Sequence, residues 1–195
     1  VAEGLWKVPG DLPEQGRRYD AQRLGGVAVE LKSHLPIERQ ARVIGATWLD
    51  QQLIGGGKGL GELGFGGEAR QALQQRADFL IEQGLAEKRG PRVILARNLL
   101  ATLRNRELAQ AAKDIATDTG LEHRPVTDGQ RVAGIYRRSV MLASGRYAML
   151  DDGMGFSLVP WKPVIEQRLG QQLAATIHKG SASWELGIRR GISIG

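Results

Sequence analysis

Apolar side chains recur at helical spacing three times before Ile115. The run from Pro36 to Leu53 places Ile37, Ala41, Ile44 and Trp48 on one face; Pro36 suits a first turn, and glycines close the run after Ile54. Glu68 to Gln83 carries Ala69, Leu73, Ala77, Leu80 and Ile81 and stops at Gly84. Asn98 is placed to cap a third helix running to about Ile115, with Leu100, Leu103, Leu108 and Ala112 facing inward. Two short strands, Leu85 to Lys88 and Arg92 to Ala96, fit around Arg89-Gly90-Pro91. Helix, helix, basic hairpin, helix is the order of a winged-helix-like unit, which is expected to fill residues 31–118 with a glycine-rich loop at 55–67.

After a polar link from Asp118 to Asp128 the period changes to two. Strands are predicted at Val132–Tyr136, Ser139–Ala143, Arg146–Leu150 and Phe156–Val159, then Leu173–His178 and Ser183–Leu186, with one short helix from Lys162 to Leu169. Ser144-Gly145, Asp151-Asp152-Gly153 and Lys179-Gly180 supply the turns. The stretch GRYAMLDDGMGFSLVPW, residues 145–161, reads as a hairpin that alternates Tyr147 and Met149 onto one face. Residues 119–195 are therefore expected to form a small antiparallel β-barrel or bent sheet capped by the helix. Residues 1–30 read as an arm with one short strand at Val27–Val29. The fold class is α+β.

Composition narrows the chemistry. The 195 residues include no cysteine and three widely separated histidines, His34, His123 and His178, so disulfides and thiolate or clustered-histidine zinc sites are not expected. No apolar run is long enough to span a membrane, and the N-terminal VAEGLWKVPG has neither the basic region nor the apolar core of a secretory signal. The absence of an initiator Met suggests a fragment of a longer protein. The glycine-rich stretch contains GxGxxG at Gly59, Gly61 and Gly64. A helix precedes it where a dinucleotide fingerprint needs a strand, and Lys58 is followed by Gly59, so it reads as a connector.

No constellation for catalysis emerges. Asp151 and Asp152 are explained by turn chemistry, the serines lack a nucleophile elbow, and Tyr19, Tyr136 and Tyr147 have no metal-holding histidine cluster to activate them. Trp161 and Trp184, at strand ends, read as closures of a small core in preference to base-stacking platforms. Neither a cofactor nor a metal is expected. What stands out is charge. Within a net charge of +6, six basic residues against the single acid Glu87 fall between Gly84 and Arg106. Lys88, Arg89, Arg92, Arg97, Arg104 and Arg106, with Arg137 and Arg138 on the later strands, are the candidate contacts to nucleic-acid phosphates.

The segments VELKSHLPIERQARVIGATWLDQQL, ARQALQQRADFLIEQGLA, VAGIYRRSVMLASGRYAMLDDGMGFSLVPWKPVIEQRLGQ and SWELGIRRGISIG resemble the C-terminal domain of unknown function of bacterial plasmid relaxases, the agrobacterial-type mobilization nucleases. The resemblance runs from about Arg18 to Gly195. It implies a setting of conjugative DNA transfer in the bacterial cytoplasm, with relaxosome and coupling-protein partners. In that family the nucleophilic tyrosine and metal-binding histidines lie in the N-terminal region, and no position here matches them. The expectation is a non-catalytic accessory domain that binds DNA near the transfer origin. The alternatives are a docking module or translocation signal for the coupling protein and, more weakly, a winged-helix repressor.

Overall fold

The computed structural model describes residues 33–57 and 65–186. Every element below belongs to one unit, which begins at Leu35. The expected arm, the strand at Val27–Val29, most of the glycine-rich loop and the C-terminal IRRGISIG tail lie outside the described residues.

The architecture is mixed α+β, with helices α1 (Ile37–Gln40), α2 (Trp48–Ile54), α3 (Phe65–Glu82) and α4 (Leu99–Thr119). A two-stranded hairpin, β1 (Ala86–Arg89) and β2 (Arg92–Leu95), separates α3 from α4. A six-stranded sheet follows, built from β3 (Glu122–His123), β4 (Arg131–Leu142), β5 (Gly145–Asp151), β6 (Gly155–Pro160), β7 (Gln172–His178) and β8 (Ser181–Glu185) in the order β3-β6-β5-β4-β7-β8.

The first expected helix is broken, and a buried ion pair is the cause. Arg76 of α3 and Asp50 of α2 are both fully buried and meet bidentately, Nε to Oδ1 at 2.8 Å and Nη2 to Oδ2 at 2.9 Å. The other three N–H groups of Arg76 donate to the backbone carbonyls of Gln40 (3.1 Å), Val43 (2.7 Å) and Gly45 (2.7 Å). All five guanidinium donors are thereby used. The three carbonyls are turned towards Arg76, so residues 41–47 cannot continue a helical ladder. Asp50 also accepts from the Thr47 N–H (2.7 Å) and hydroxyl (2.9 Å), closing a capping box that restarts the helix at Trp48. Around the pair, Ala41, Leu49 and Ala72 pack with Ile37, Trp48 and Leu73.

Other boundaries shift for local reasons. Asn98 occupies the N-cap position of α4 but its side chain makes no capping bond. The helix runs past Ile115 to Thr119, where Gly120 adopts the left-handed φ of 70° and its N–H closes on the Ala116 carbonyl at 2.8 Å. The two strands expected over 132–143 are one strand. Its register slips between Tyr136 and Arg138, leaving Arg137 as the extra residue of a bulge. The N-terminal half of β4 pairs with β7 and the C-terminal half with β5, overlapping only at Ile135. The expected helix at 162–169 is a single 3₁₀ turn, Pro163–Ile165.

The sheet is bent and open, not a closed barrel, and it is not wholly antiparallel, because β3 pairs with β6 in parallel. Its curl brings Trp184 of β8 towards β6, where the indole Nε1 donates to the Pro160 carbonyl at 3.1 Å, yet no ladder joins those two strands. Both faces of β5 and β6 are buried. Tyr147, Met149, Phe156 and Leu158 lie under Ala112 and Ile115 of α4. Ala148, Leu150 and Val159 face Tyr136, Ile165, Leu173 and Ile177, enclosed by the sheet's own curl. Trp161 and Trp184 pack against that second cluster, and the Trp161 indole donates to the Tyr136 hydroxyl at 3.1 Å. Each large apolar side chain fully buried here contributes about 1.5–3 kcal/mol.

Candidate nucleic-acid interface

The hairpin sorts its residues by strand alternation. Ala86 pairs with Leu95 at its base, and both pack on Leu80, Leu85, Leu99 and Leu103. Lys88 and Val93 continue that face outward. Glu87, Ile94, Arg89 and Arg92 occupy the opposite, exposed face, where Arg89 and Arg92 stand directly across from each other beside the turn at Gly90. Like charges in register repel, and Glu87 offsets part of this through its 3.1 Å ion pair with Arg89. Arg92 and Lys88 have no carboxylate partner among the described residues. Arg97 is exposed just after β2. Arg106 reaches back from α4 to the Gln83 carbonyl at 3.4 Å, near the start of the hairpin.

The remaining basic residues sit elsewhere. Arg137 and Arg138 lie on the β4 bulge in the sheet, and Arg137 Nε is held by Asp151 Oδ2 at 2.9 Å. Arg104 turns towards the sheet. A Cβ on Gly180, whose φ is +75°, would fall 2.3 Å from Arg104 Nη1, so the guanidinium lies against the bare backbone of the β7–β8 turn. The structure thus gathers Lys88, Arg89, Arg92, Arg97 and Arg106 at or near the hairpin, and sets Arg104, Arg137 and Arg138 apart from it.

Between α4 and the β4–β5 turn lies a polar cluster that the sequence reading passed over. The buried Glu107 carboxylate accepts from the backbone N–H of Ala143 (2.5 Å) and Ser144 (3.0 Å) and from the Ser144 hydroxyl (2.6 Å). It also fills the space in front of Gly45, where an added Cβ would come within 2.6 Å of it. The loop organised by Arg76 and the turn of the sheet therefore meet on one side chain. Tyr147 lies alongside, 3.4 Å from the Ser144 hydroxyl, and burial raises its phenol above the ordinary value. The sequence signal was a lone acid amid the inward-facing stripe of α4, between Leu103 and Leu108.

Beside this cluster a cleft of about 550 Å³ opens between α4 and the segment after β3, lined in part by Asn105, Leu108, Ala112, His123, Val126 and Leu158. A smaller cavity of about 160 Å³ shares Asn105, Leu108, Val126 and Leu158 and adds Arg104 and Tyr147. His123 is half-buried against Phe156, with ring centroids 5.2 Å apart, and burial lowers its pKa from the ordinary value. Leu108 and Ala112 face inward as expected, packing with the cluster under α4, and they also border this cleft.

The Asp151-Asp152-Gly153 turn is accounted for by hydrogen bonds. Asp152 Oδ1 accepts from the Met154 and Gly155 N–H groups, each at 2.9 Å, and Asp151 Oδ1 from the Gly153 N–H at 2.8 Å. The bond from Met154, supported by those from Gly155 and by Arg124, holds the Asp152 carboxyl below the usual carboxylate value. Among the described residues no group of histidine and carboxylate side chains is arranged to hold a metal ion. Nor, among them, is any helix long and apolar enough to cross a membrane.

A mixed α+β unit with a basic hairpin set between two long helices is the class of domain that this geometry defines. The chain belongs to the family described as "Protein of unknown function (DUF3363)", whose pattern matches residues 1–193. No curated protein and no solved structure matches the chain.

Proposed function

We propose that this chain is a non-catalytic, DNA-binding accessory domain that grips the phosphate backbone with its basic hairpin. The observation that carries the reading is the tip of the hairpin, where Arg89 and Arg92 stand in register on an exposed face with Lys88 at the adjoining position. A protein keeps like charges opposed at a cost in stability, and an anionic partner that binds across both relieves it. Arg97 and Arg106 extend the charge at or near the hairpin. Helices followed by a basic two-stranded wing also suit a winged-helix-like approach to a duplex. The resemblance of residues 18–195 to relaxase C-terminal regions supplies the setting: a bacterial cytoplasmic protein of plasmid mobilization, with the domain holding DNA near the transfer origin. Fluorescence anisotropy with labelled duplex and single-stranded DNA tests it. Affinity should fall steeply between low and moderate salt, and no binding to either form at low salt would sink the reading.

A second reading, a docking module for the coupling protein or relaxosome, draws support from β8. That strand pairs only with β7, leaving its outer edge without a strand partner among the described residues. Removal of residues 187–195 from the parent relaxase would then abolish plasmid transfer while nicking persists; unchanged transfer would count against it.

A further inference from the structure

Three features of the α4 cleft belong together. Its walls are apolar: Leu108 and Ala112 on the helix, Val126 and Leu158 opposite. Two side chains with both hydrogen-bond donors and acceptors, the Asn105 amide and the neutral His123 imidazole, line the same space. In the smaller cavity that adjoins it, which Asp128 also lines, the half-buried Arg104 guanidinium makes no ion pair or hydrogen bond with a described residue, although Arg76, Arg124, Arg131, Arg137 and Arg146 each hold a carboxylate. Lys113 supplies a second cation on the helix side. A half-buried cation that no carboxylate holds in an ion pair, beside apolar walls with polar edges, is complementary to an anion that carries a flat, hydrogen-bonding body, and Asp128 on the same cavity has its Oδ1 engaged by the Lys179 N–H.

We propose that the cleft between α4 and the β3–β4 connection is a nucleotide site. The base lies between Leu108 and Ala112 on one side and Val126 and Leu158 on the other, its edge reading Asn105 and His123, and its phosphate meets Arg104. The volume of about 550 Å³ lies within the range of small-ligand sites. The inference rests on the DNA-binding reading in one respect, that an unpaired residue of a strand held by the hairpin is the nucleotide's source.

The test uses the full chain with three probes: an oligothymidylate single strand, a duplex, and free thymidine monophosphate. Ala109 is exposed on the rim of the cleft, so Ala109→Phe fills the space without disturbing the core. Single-strand affinity should drop about tenfold in Ala109→Phe and in Arg104→Gln, with duplex affinity unchanged, as expected for loss of one stacked and one phosphate contact. The free nucleotide should shift the His123 imidazole resonances of the wild type and leave those of Ala109→Phe in place. Single-strand binding by Ala109→Phe equal to wild type, or loss of duplex and single-strand binding together, would overturn the site. Absence of all DNA binding with the His123 shift retained would remove the hairpin reading and keep a free-nucleotide site. A change in sedimentation of Ala109→Phe from that of the wild type would assign the cleft to self-association and overturn the proposal.

Discussion

Arg76 decides more of this fold than any other side chain. It spends all five donors on Asp50 and three loop carbonyls while fully buried, so its removal strands a buried carboxylate and three backbone acceptors. Arg76→Ala should cost about 3–5 kcal/mol in urea denaturation, and Asp50→Ala a similar amount. A loss below about 1 kcal/mol would contradict this account of the pair. The residue was legible in principle. It falls on the buried stripe of α3, seven positions after Ala69 and four before Leu80, where a polar residue is out of pattern. Which carbonyls it takes was not legible, because its partners lie up to 36 positions away. His123 gives a second test at this scale. Burial favours its neutral form, so the unfolded chain binds the proton more readily. Stability from this group is complete above its unfolded value of 6.5 and declines as pH falls through it. An imidazole titration followed by NMR should have its midpoint below 6.5; a midpoint above it would reverse the sign.

At the scale of elements, apolar runs bounded by turn residues located β5 and β6, which bury both faces and so carry buried residues at successive positions, whereas β3 lies inside the stretch expected to be a polar link. Alternation could not say that two predicted strands are one. The bulge at Arg137 turns the phase of β4, and to a pattern reader a phase change looks like a boundary. The bend also needs Gly134, where a Cβ would lie 2.8 Å from the Asp151 carbonyl oxygen. Gly134→Ala should therefore destabilise by about 1–3 kcal/mol, measured by thermal unfolding, although alanine is otherwise the better strand residue. The helical half and the sheet are joined through α4, which packs on the hairpin side with Leu99 and Leu103 and on the sheet with Ala112 and Ile115. Glu107 fastens that joint. Glu107→Ala leaves two backbone N–H groups without partners and should cost about 2–3 kcal/mol. Amide exchange at Ala143 and Ser144 should quicken selectively; unchanged protection there would show that the carboxylate does not hold the turn.

At the scale of the whole molecule, the DNA-binding reading rests on where the fold places its basic residues. The sequence pointed to eight basic residues, and the folded chain divides them by location. Strand register and helix position place five at or near the hairpin, while Arg104 faces a cleft and Arg137 is tied to Asp151. Proximity along the chain could not have separated Arg104 from Arg106, two positions apart on one helix but turned to different neighbours. The central claim is that the hairpin contacts phosphates, and the salt dependence of DNA binding reports it most directly. Comparing wild type with Arg89→Ala/Arg92→Ala, the plot of log K against log salt concentration should lose about two units of slope, roughly 0.9 for each phosphate contact removed. An unchanged slope in a folded double variant would contradict the claim.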